Sequence, residues 1–314
     1  MSVALSMILK FCARQGRFIL VASLVVGLTS STLAEMIKPH IGVLIAALLF
    51  VACLRVGPKQ VLGAVQDMKA SLLFVLLLQV MLPVAAALAA LAIGLSGPLV
   101  FALVLLMAAP SLSGSPHLVV LMGFEPSPAL RQLVIGTALL PLTIIPVLFL
   151  IPEFGNIADI AIASLKLMVI IVIAASIAFF IRLTILKDPN KKSIEQIDGM
   201  STILLSVTVV GLMAAIGEEF GHDPVNVFST LGVAILANFG LQVAAALLLA
   251  RSTWQELTVP IGIIAGNRNI ALFLTALPAA TTEPLLLFIA CYQIPMYLTP
   301  IVMRRFYQRL AGTN

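Results

Sequence analysis

Long apolar segments separated by short polar ones account for most of the chain. Each is close to the roughly 20 residues that a helix needs to cross a bilayer. The apolar runs are continuous rather than alternating, which argues against a transmembrane barrel. The pattern predicts an all-α polytopic membrane protein of about ten transmembrane helices, at residues 18–36, 40–55, 71–94, 98–123, 130–151, 158–181, 199–216, 225–250, 255–281 and 284–303.

Basic residues fall almost entirely on one side of these spans. With a cytoplasmic N-terminus and alternating spans, fifteen lysines and arginines are cytoplasmic and only Lys38 lies on the other side. Lys166 and Arg268 fall inside spans. Short cytoplasmic loops of membrane proteins are enriched in Lys and Arg. The distribution therefore predicts ten spans in a bacterial-type inner membrane, with both termini cytoplasmic.

Composition agrees with a membrane location. The chain is 61% hydrophobic and 10% charged, with a mean hydropathy of +1.16, whereas soluble domains are about 25% charged. The net charge of +5 comes from residues that flank the spans, so it indicates orientation in the lipid bilayer and no nucleic-acid partner. Three scattered cysteines form neither a metal-binding spacing nor a disulfide framework. No metal or other cofactor is predicted.

The ten spans divide into two fives at the short turn 152–157. The first half is 1–151, with helices at 18–151; the second is 152–314, with helices at 158–303 and a cytoplasmic linker loop at 184–199. Because each half has an odd number of spans, the second enters the membrane upside down relative to the first. This predicts two inverted five-helix repeats, the plan of many secondary transporters.

The fourth span of each half contains a break. Residues 109–117 hold two prolines, a glycine and three serines between apolar runs, and residues 265–269 hold Gly266, two asparagines and Arg268. Proline and glycine interrupt helices, and an arginine at mid-membrane costs at least roughly 2.5–3.5 kcal/mol. Paired discontinuous helices at corresponding positions are a sequence sign of a transporter's binding site. The sequence therefore predicts discontinuous helices 4 and 9.

Several of these segments resemble one family of transporters. Gly266 to Leu272 resembles the ninth-helix motif of the bile acid:sodium symporter family, part of the bile acid and arsenite transporter superfamily, and Pro110 to Ser115 resembles its fourth-helix motif. Residues 39–58 resemble its second helix, Gln79 with Pro83 its third, and Lys166 a lysine early in its sixth. The chain is identified as a divergent member by the order and spacing of these motifs.

The resemblance implies a panel domain and a core domain, with helices 4 and 9 crossing in the core. It also implies a small organic anion as solute, moved together with sodium. Two positions depart from the family: Ile264 stands in place of a sodium-binding glutamate, and Pro116 in place of an asparagine. Neither side chain offers the oxygen ligand that a hard cation prefers. Sodium coupling at the usual sites is therefore doubtful, and proton coupling or no coupling takes its place.

Arg268 has three alternative roles. It binds the carboxylate or sulfate of the solute, it supplies a fixed charge where sodium would lie, or it caps backbone carbonyls of the kinked helix. His117 is the candidate for proton coupling, or a neutral histidine bonded to a serine. Gln79, Thr137 and Asn238 are possible polar lining or contacts between helices. The predicted solute-binding residues beside Arg268 are Gly266, Asn267, Asn269, Ser111, Ser113, Gly114 and Ser115.

We expect a secondary active transporter of a small organic anion that works by alternating access. The alternatives are a sodium-coupled symporter with altered ligands and a membrane sensor that does not transport. Ser113 near His117 invites a protease interpretation, but His40 and His222 lie at a span edge and in a loop, so no enzyme is predicted. The sequence leaves the solute, the direction of transport and the oligomeric state open.

Overall fold

The computed structural model describes residues 3–65, 68–151 and 157–312, and every regular element in them is helical. The first part contains α1 (Val3–Arg14), α2 (Gly16–Thr29), α3 (Ser31–Ile37), α4 (Ile41–Val65), α5 (Met68–Val75), α6 (Leu82–Ala92), α7 (Pro98–Ala108), α8 (Ser115–Leu121), α9 (Ser127–Thr143) and α10 (Ile145–Leu148). The second contains α11 (Ile157–Thr184), α12 (Lys191–His222), α13 (Pro224–Ala250), α14 (Thr258–Gly266), α15 (Ala279–Thr282), α16 (Leu286–Val302) and α17 (Arg304–Leu310).

Six helical runs in the described residues are long and apolar enough to cross a membrane. They are Ser31–Ala64, Met68–Ala92, Ile157–Thr184, Lys191–His222, Pro224–Ala250 and Ala279–Val302. A bent pair formed by most of α1 and α2 meets the same test when it is counted as one span. These helices support a polytopic, all-α membrane protein, while the predicted spans at 98–123, 130–151 and 255–281 consist of shorter helices.

The first compact unit comprises residues 1–62 and 169–224. Its longest helix, α12, packs along α1, α2 and α3. Ala34 of α3 is fully buried in an apolar cluster with Val210 and Ala214 of α12. Toward its two ends α12 forms ion pairs, through Asp198 with Arg55 and through Glu218 with Lys38, the latter at 2.7 Å. One side of α12 is thus packed against the three N-terminal helices.

The second compact unit comprises residues 63–168 and 225–314. Within it α5 and α6 are joined by a π-helical segment, Leu76–Met81, and α14 is buried along its whole length. An apolar cluster surrounds α14 with side chains from α5, α8, α9, α13 and α17. Both predicted helix breaks belong to this unit, and so does the candidate site.

The predicted linker loop 184–199 is wrong for most of its length. α12 already begins at Lys191, and the Asn190 side chain accepts a hydrogen bond from the N–H of Ser193 over 2.9 Å. Asparagine at this position caps a helix by accepting one of its free N–H groups. Four of the six charged residues of this segment therefore lie on a helix, and the turn is limited to residues 185–190.

Other boundaries also differ. The predicted loop between the first two spans is a 3-10 turn, Lys38–His40, inside the continuous run Ser31–Ala64, because proline is tolerated in the first turn of a helix. α4 continues past the predicted end at 55, bending at Gly57. The predicted ninth span ends before 281, since Ala279 already begins the last long run. The predicted dividing turn 152–157 lies almost wholly outside the described residues.

Candidate functional site at the two helix breaks

The fourth predicted span is interrupted because two prolines prevent a continuous helix. After α7, Ala109 has extended backbone (φ −63°, ψ 149°), the conformation that a residue before proline prefers. Pro110 itself has no N–H group to donate. α8 begins only at Ser115, with Pro116 in its first turn. Residues 110–114 therefore leave the helical path.

The ninth predicted span is interrupted after Gly266. α14 ends there, and the chain continues through Asn267 (φ −110°, ψ 88°) to a 3-10 helix at Ile270–Thr275. A Cβ atom on residue 266 would lie 2.0 Å from the backbone oxygen of Asn238. Only glycine lets α13 and α14 approach this closely. The break therefore depends on close helix packing as well as on the polar residues that follow.

The two breaks pair with each other through their backbones. The N–H of Leu112 donates to the carbonyl oxygen of Asn267 over 2.9 Å, and the N–H of Asn269 donates to that of Pro110 over the same distance. Together these bonds form an isolated antiparallel bridge. Backbone groups freed by a broken membrane helix must find partners, because lipid offers none. Here each break supplies partners to the other.

Arg268, which pairs with Ser111 in this bridge, is 1% exposed. Its guanidinium donates three hydrogen bonds to backbone carbonyls: Nε to Ala265 over 3.1 Å, Nη1 to Ala109 over 3.0 Å and Nη2 to Leu78 over 3.4 Å. The first two carbonyls lie at the ends of the interrupted helices, and Leu78 lies in the π-helical segment. The side chain thus joins three segments of unit 2.

The charge of Arg268 has no ion-pair partner among the described residues. Burying an unpaired charge is costly, and carbonyl dipoles compensate only part of that cost. A guanidinium has five N–H bonds, and three of those of Arg268 are used here. The arrangement therefore places a net positive charge with spare donor capacity inside the protein.

Buried side chains hold the carbonyl of Gly266, the last residue of α14. The side-chain amide of Asn238 and the hydroxyl of Tyr292 both donate to this oxygen. The backbone N–H of Arg268 lies 3.4 Å from the same Tyr292 hydroxyl. Asn238 and Tyr292 are both fully buried. The C-terminal end of α14 is therefore fixed by α13 and α16.

The same polar network extends away from the break. Gln242 donates from Nε2 to Oδ1 of Asn238 over 2.7 Å, and the hydroxyl of Tyr307 donates to Oε1 of Gln242 over 3.2 Å. The hydroxyl of Thr299 lies 3.1 Å from Oδ1 of Asn267. All five residues are buried. A continuous chain of hydrogen bonds thus runs from the ninth-span break to α17.

The fourth-span break has fewer side-chain hydrogen bonds. Ser111 is buried and donates to the carbonyl of Leu112 over 3.3 Å. Ser113 is half-buried and Gly114 is exposed. Ser115 is fully buried, but its hydroxyl has no hydrogen-bond partner in the described residues. The predicted serines are therefore placed together, and one retains an unused polar group.

Gln79 lies in the π-helical segment, one residue after the Leu78 carbonyl that Arg268 binds. It is 1% exposed, and its Oε1 accepts a hydrogen bond from the hydroxyl of Thr143 over 3.3 Å. Its Nε2, facing Gly136, has no partner in the described residues. π-Helical turns occur often at functional sites. A second unused buried donor therefore lies beside the Arg268 contacts.

Two further predicted residues lie on regular helices, outside the interrupted segments. His117 is exposed on α8, and Thr137 is half-buried on α9. No hydrogen bond joins Thr137 to either break in the described part of the chain. Asn269, by contrast, lies directly in the ninth-span break and is half-buried.

Sequence reasoning missed four members of the network: Gln242, Tyr292, Thr299 and Tyr307. The first three had a usable signal. Gln242 lies one helical turn after Asn238, and the other two lie two turns apart on α16, so polar groups recur on one face of each apolar helix. Tyr307 had none, because it follows the last predicted span.

A cavity of about 680 Å³ opens at one end of unit 2, close to the Arg268 contacts. Phe74 and Ile261 line it, each four residues, or about one helical turn, before a carbonyl that Arg268 binds. Phe74 makes an edge-to-face contact with Trp254 at 5.9 Å. Helices α5 and α14 thus line the cavity with apolar side chains and also lead to carbonyls that Arg268 binds.

The rim of this cavity carries charges of both signs, on Lys69, Arg131, Glu125 and Glu256. The hydroxyl and then the N–H of Ser127 donate to the Glu125 carboxylate, which lowers the pKa of that group below its ordinary value. Hydrogen bonds to a carboxylate favour its ionised form. Glu125 therefore stays negative at neutral pH, beside the start of α9.

Comparison with known proteins finds no protein-family model that matches the chain and no curated protein with significant similarity.

Proposed function

We propose that the protein is a secondary active transporter of a small organic anion across the inner membrane, working by alternating access. The observation that carries the proposal is the pairing of two broken helices around the buried guanidinium of Arg268. Secondary transporters place their sites at such breaks, near the bilayer midplane. The resemblance of both breaks to motifs of bile acid:sodium symporters supports the same function.

The proposal includes the finer architecture. Each of the ten predicted spans contains helix, so we infer ten crossings in two inverted five-helix repeats. The chain forms two compact units, and each unit contains residues from both halves of the chain. Two units are what a panel domain and a core domain would require. Both breaks belong to unit 2, which takes the part of the core. The termini are cytoplasmic in this arrangement.

An anion is the solute that this charge distribution favours. Arg268 brings one positive charge that no acidic group in the described residues pairs with, and two N–H bonds beyond the three already used. A carboxylate or sulfate accepts paired hydrogen bonds from a guanidinium and offsets its charge. The Ser115 hydroxyl and the Gln79 side-chain amide, which have no partner in the part of the chain that the structure describes, supply further donors. The solute is therefore expected to be small and negatively charged.

The coupling ion is the second part of the proposal. Arg268 binds carbonyls at the ends of both interrupted helices, the type of oxygen that sodium requires. Its fixed charge also repels a mobile cation nearby. Ile264 and Pro116 are buried and provide no side-chain oxygen. We therefore expect uptake that a sodium gradient does not drive, with proton transfer through His117 as the alternative.

The test is uptake into proteoliposomes from a panel of organic anions, with sodium and pH gradients imposed separately. Arg268→Gln should lower uptake ten- to a hundredfold, the loss expected for hydrogen bonds to a charged group. Lys166→Gln, which removes an exposed charge from α11, is the matched control and should leave uptake unchanged. A thermal unfolding midpoint near that of the wild type shows that the variant is folded.

Two results would reject the proposal. The first is absence of uptake of every anion by the wild-type protein. The second is unchanged anion affinity in folded Arg268→Gln. If unfolding prevents the comparison, Arg268→Lys keeps the charge but loses paired hydrogen bonding, and it should show weaker uptake.

A non-transporting sensor is the second candidate, favoured by the burial of Arg268 and its satisfaction by three carbonyls. In a sensor, the anion raises the unfolding midpoint without crossing the membrane. Thermal shifts measured on the same anion panel separate this outcome from transport.

A further inference from the structure

We propose that α17 binds the anionic surface of the bilayer and transmits this contact to the ninth-span break. The helix has two opposite faces. Arg304, Arg305 and Arg309 are exposed on one, whereas Tyr307 is buried on the other. At about 100° per residue, the three arginines cover one side of the helix. α17 therefore combines a basic outer surface with a firmly packed inner one.

The basic surface is larger than α17 alone. Arg251, at the end of α13, is also exposed, and Trp254 follows it. Trp254 packs against the same apolar cluster as Tyr307. None of these four arginines forms an ion pair with an acidic group in residues 3–65, 68–151 or 157–312. Unit 2 thus presents three exposed arginines on α17 and a fourth near Trp254, none of them in an ion pair within the described residues.

Anionic phospholipid is the partner that fits this surface. Trp is enriched at the interface between membrane and water, and clusters of arginine bind acidic headgroups. The charge pattern of the sequence places the same residues on the cytoplasmic side, together with the other basic loops. Guanidinium groups recognise phosphate oxygens through paired hydrogen bonds. The surface is therefore directed to a bilayer that contains acidic lipid.

The inner face of α17 touches the broken helix directly. A Cβ atom on Gly262 of α14 would lie 2.9 Å from the hydroxyl of Tyr307, so the tyrosine lies against the helix backbone. The cluster that includes Tyr307 also includes Ile263 and Ile264 of α14. A displacement of α17 therefore changes the packing of α14.

A hydrogen-bonded path adds a second connection. It runs from the Tyr307 hydroxyl to Gln242, from Gln242 to Asn238, and from Asn238 to the carbonyl of Gly266. These groups are buried, and such networks act as units in a low-dielectric interior. Arg268 follows Gly266 by two residues. Lipid contact at α17 is thereby linked to the position of the buried guanidinium.

The experiment uses the full chain in vesicles of phosphatidylcholine, with and without phosphatidylglycerol. Two readouts are the thermal unfolding midpoint and the rate of maleimide labelling at Cys291, which is buried beside Tyr292. Cys12 and Cys53 are replaced by serine for the labelling. Acidic lipid should raise the wild-type midpoint by about 2–4 °C and slow labelling severalfold. High salt should reduce both effects, because they are electrostatic.

Two sets of variants test the path. The triple variant R304Q/R305Q/R309Q should lose most of the lipid response. The matched control K187Q/K191Q/K192Q removes three exposed charges from unit 1 and should retain it. Tyr307→Phe keeps the arginines but removes the hydroxyl, so its unfolding midpoint should still rise in acidic vesicles, while the slowing of Cys291 labelling should be reduced.

Equal responses of the wild-type protein to both vesicle types would overturn the proposal. The proposal would also be overturned if the control triple variant lost the response to acidic lipid to the same extent. That result would indicate that the protein responds to acidic lipid through its overall charge. A rise in the unfolding midpoint produced by inorganic phosphate in vesicles of phosphatidylcholine alone would show that the site binds a soluble anion instead. These readouts do not require transport, so they are independent of the proposed function.

Discussion

The two breaks use the same backbone device but differ in how firmly they are held. At the ninth-span break, residues 261–268 are all buried, and the carbonyl of Gly266 accepts hydrogen bonds from two side chains. At the fourth-span break, Gly114 is exposed and the hydroxyl of Ser115 has no partner in the described residues. The comparison assigns different tasks to them. The ninth-span break anchors the charge of Arg268, whereas the fourth-span break is more exposed and keeps an unused hydroxyl within the described part of the chain.

A matched pair of glycine substitutions gives the largest expected difference between the breaks. Gly266→Ala should destabilise the protein by about 3 kcal/mol or more, because the new Cβ would meet the Asn238 oxygen at 2.0 Å. Gly114→Ala should change stability by less than about 1 kcal/mol, since its nearest neighbour, in Leu112, is 3.8 Å away. Denaturant unfolding in detergent measures both. If both variants lost the same free energy of unfolding, the two breaks would be equally rigid.

Removing one hydroxyl from each break should give a smaller difference. Tyr292→Phe deletes a buried donor to the Gly266 carbonyl and should cost about 1–3 kcal/mol. Ser115→Ala deletes a buried hydroxyl that has no partner, so stability should stay unchanged or rise slightly. Thermal unfolding midpoints of the two purified variants provide the measurement. A costly Ser115→Ala would reveal that this hydroxyl is satisfied.

Transport should show the opposite sensitivity, within the proposed function. Ser113→Ala changes a half-buried residue of the more open break and should raise the half-saturating anion concentration about fivefold, the loss expected for one neutral hydrogen bond. Its unfolding midpoint should not change. Initial uptake rates over a range of anion concentrations test this. Unchanged affinity would remove Ser113 from the solute-binding surface.

The smallest expected effect concerns Glu125, in the turn after α8. Hydrogen bonds from Ser127 lower its pKa in the folded protein, so they add stability above the ordinary pKa of a glutamate. This contribution is lost as the pH falls through the lowered pKa. Wild-type and Ser127→Ala proteins should therefore differ slightly in unfolding midpoint near neutral pH and converge in acid. A constant difference across the titration would contradict this assignment.

Local features of the sequence were enough to locate both breaks. Pro110, Pro116 and Gly266 interrupt helices by their own stereochemistry, and Arg268 is conspicuous in an apolar segment. The partners of Arg268 were not predictable, because Ala109 and Leu78 contribute only backbone oxygens. Tertiary packing decides which backbone carbonyls come close to Arg268, and any residue type can supply a backbone carbonyl.

Errors in the boundaries have a different origin. Charge in the segment 184–199 was taken to indicate a loop, yet charged residues form the first turns of α12 after the Asn190 cap. The predicted loop between the first two spans is helical as well, because Pro39 lies in the first turn of the 3-10 helix Lys38–His40, where proline is tolerated. In both places the helix extends further than the polar residues of the sequence indicate.

The bridge between the breaks also sets an order of assembly during synthesis. Arg268 and Ala109 are 159 residues apart in the chain. At 5–20 residues per second, the ribosome needs about 8–30 s to cover this distance. Until then, the carbonyls of Ala109 and Pro110 lack the donors that they have in the finished protein. A chain truncated before Arg268 cannot form these hydrogen bonds.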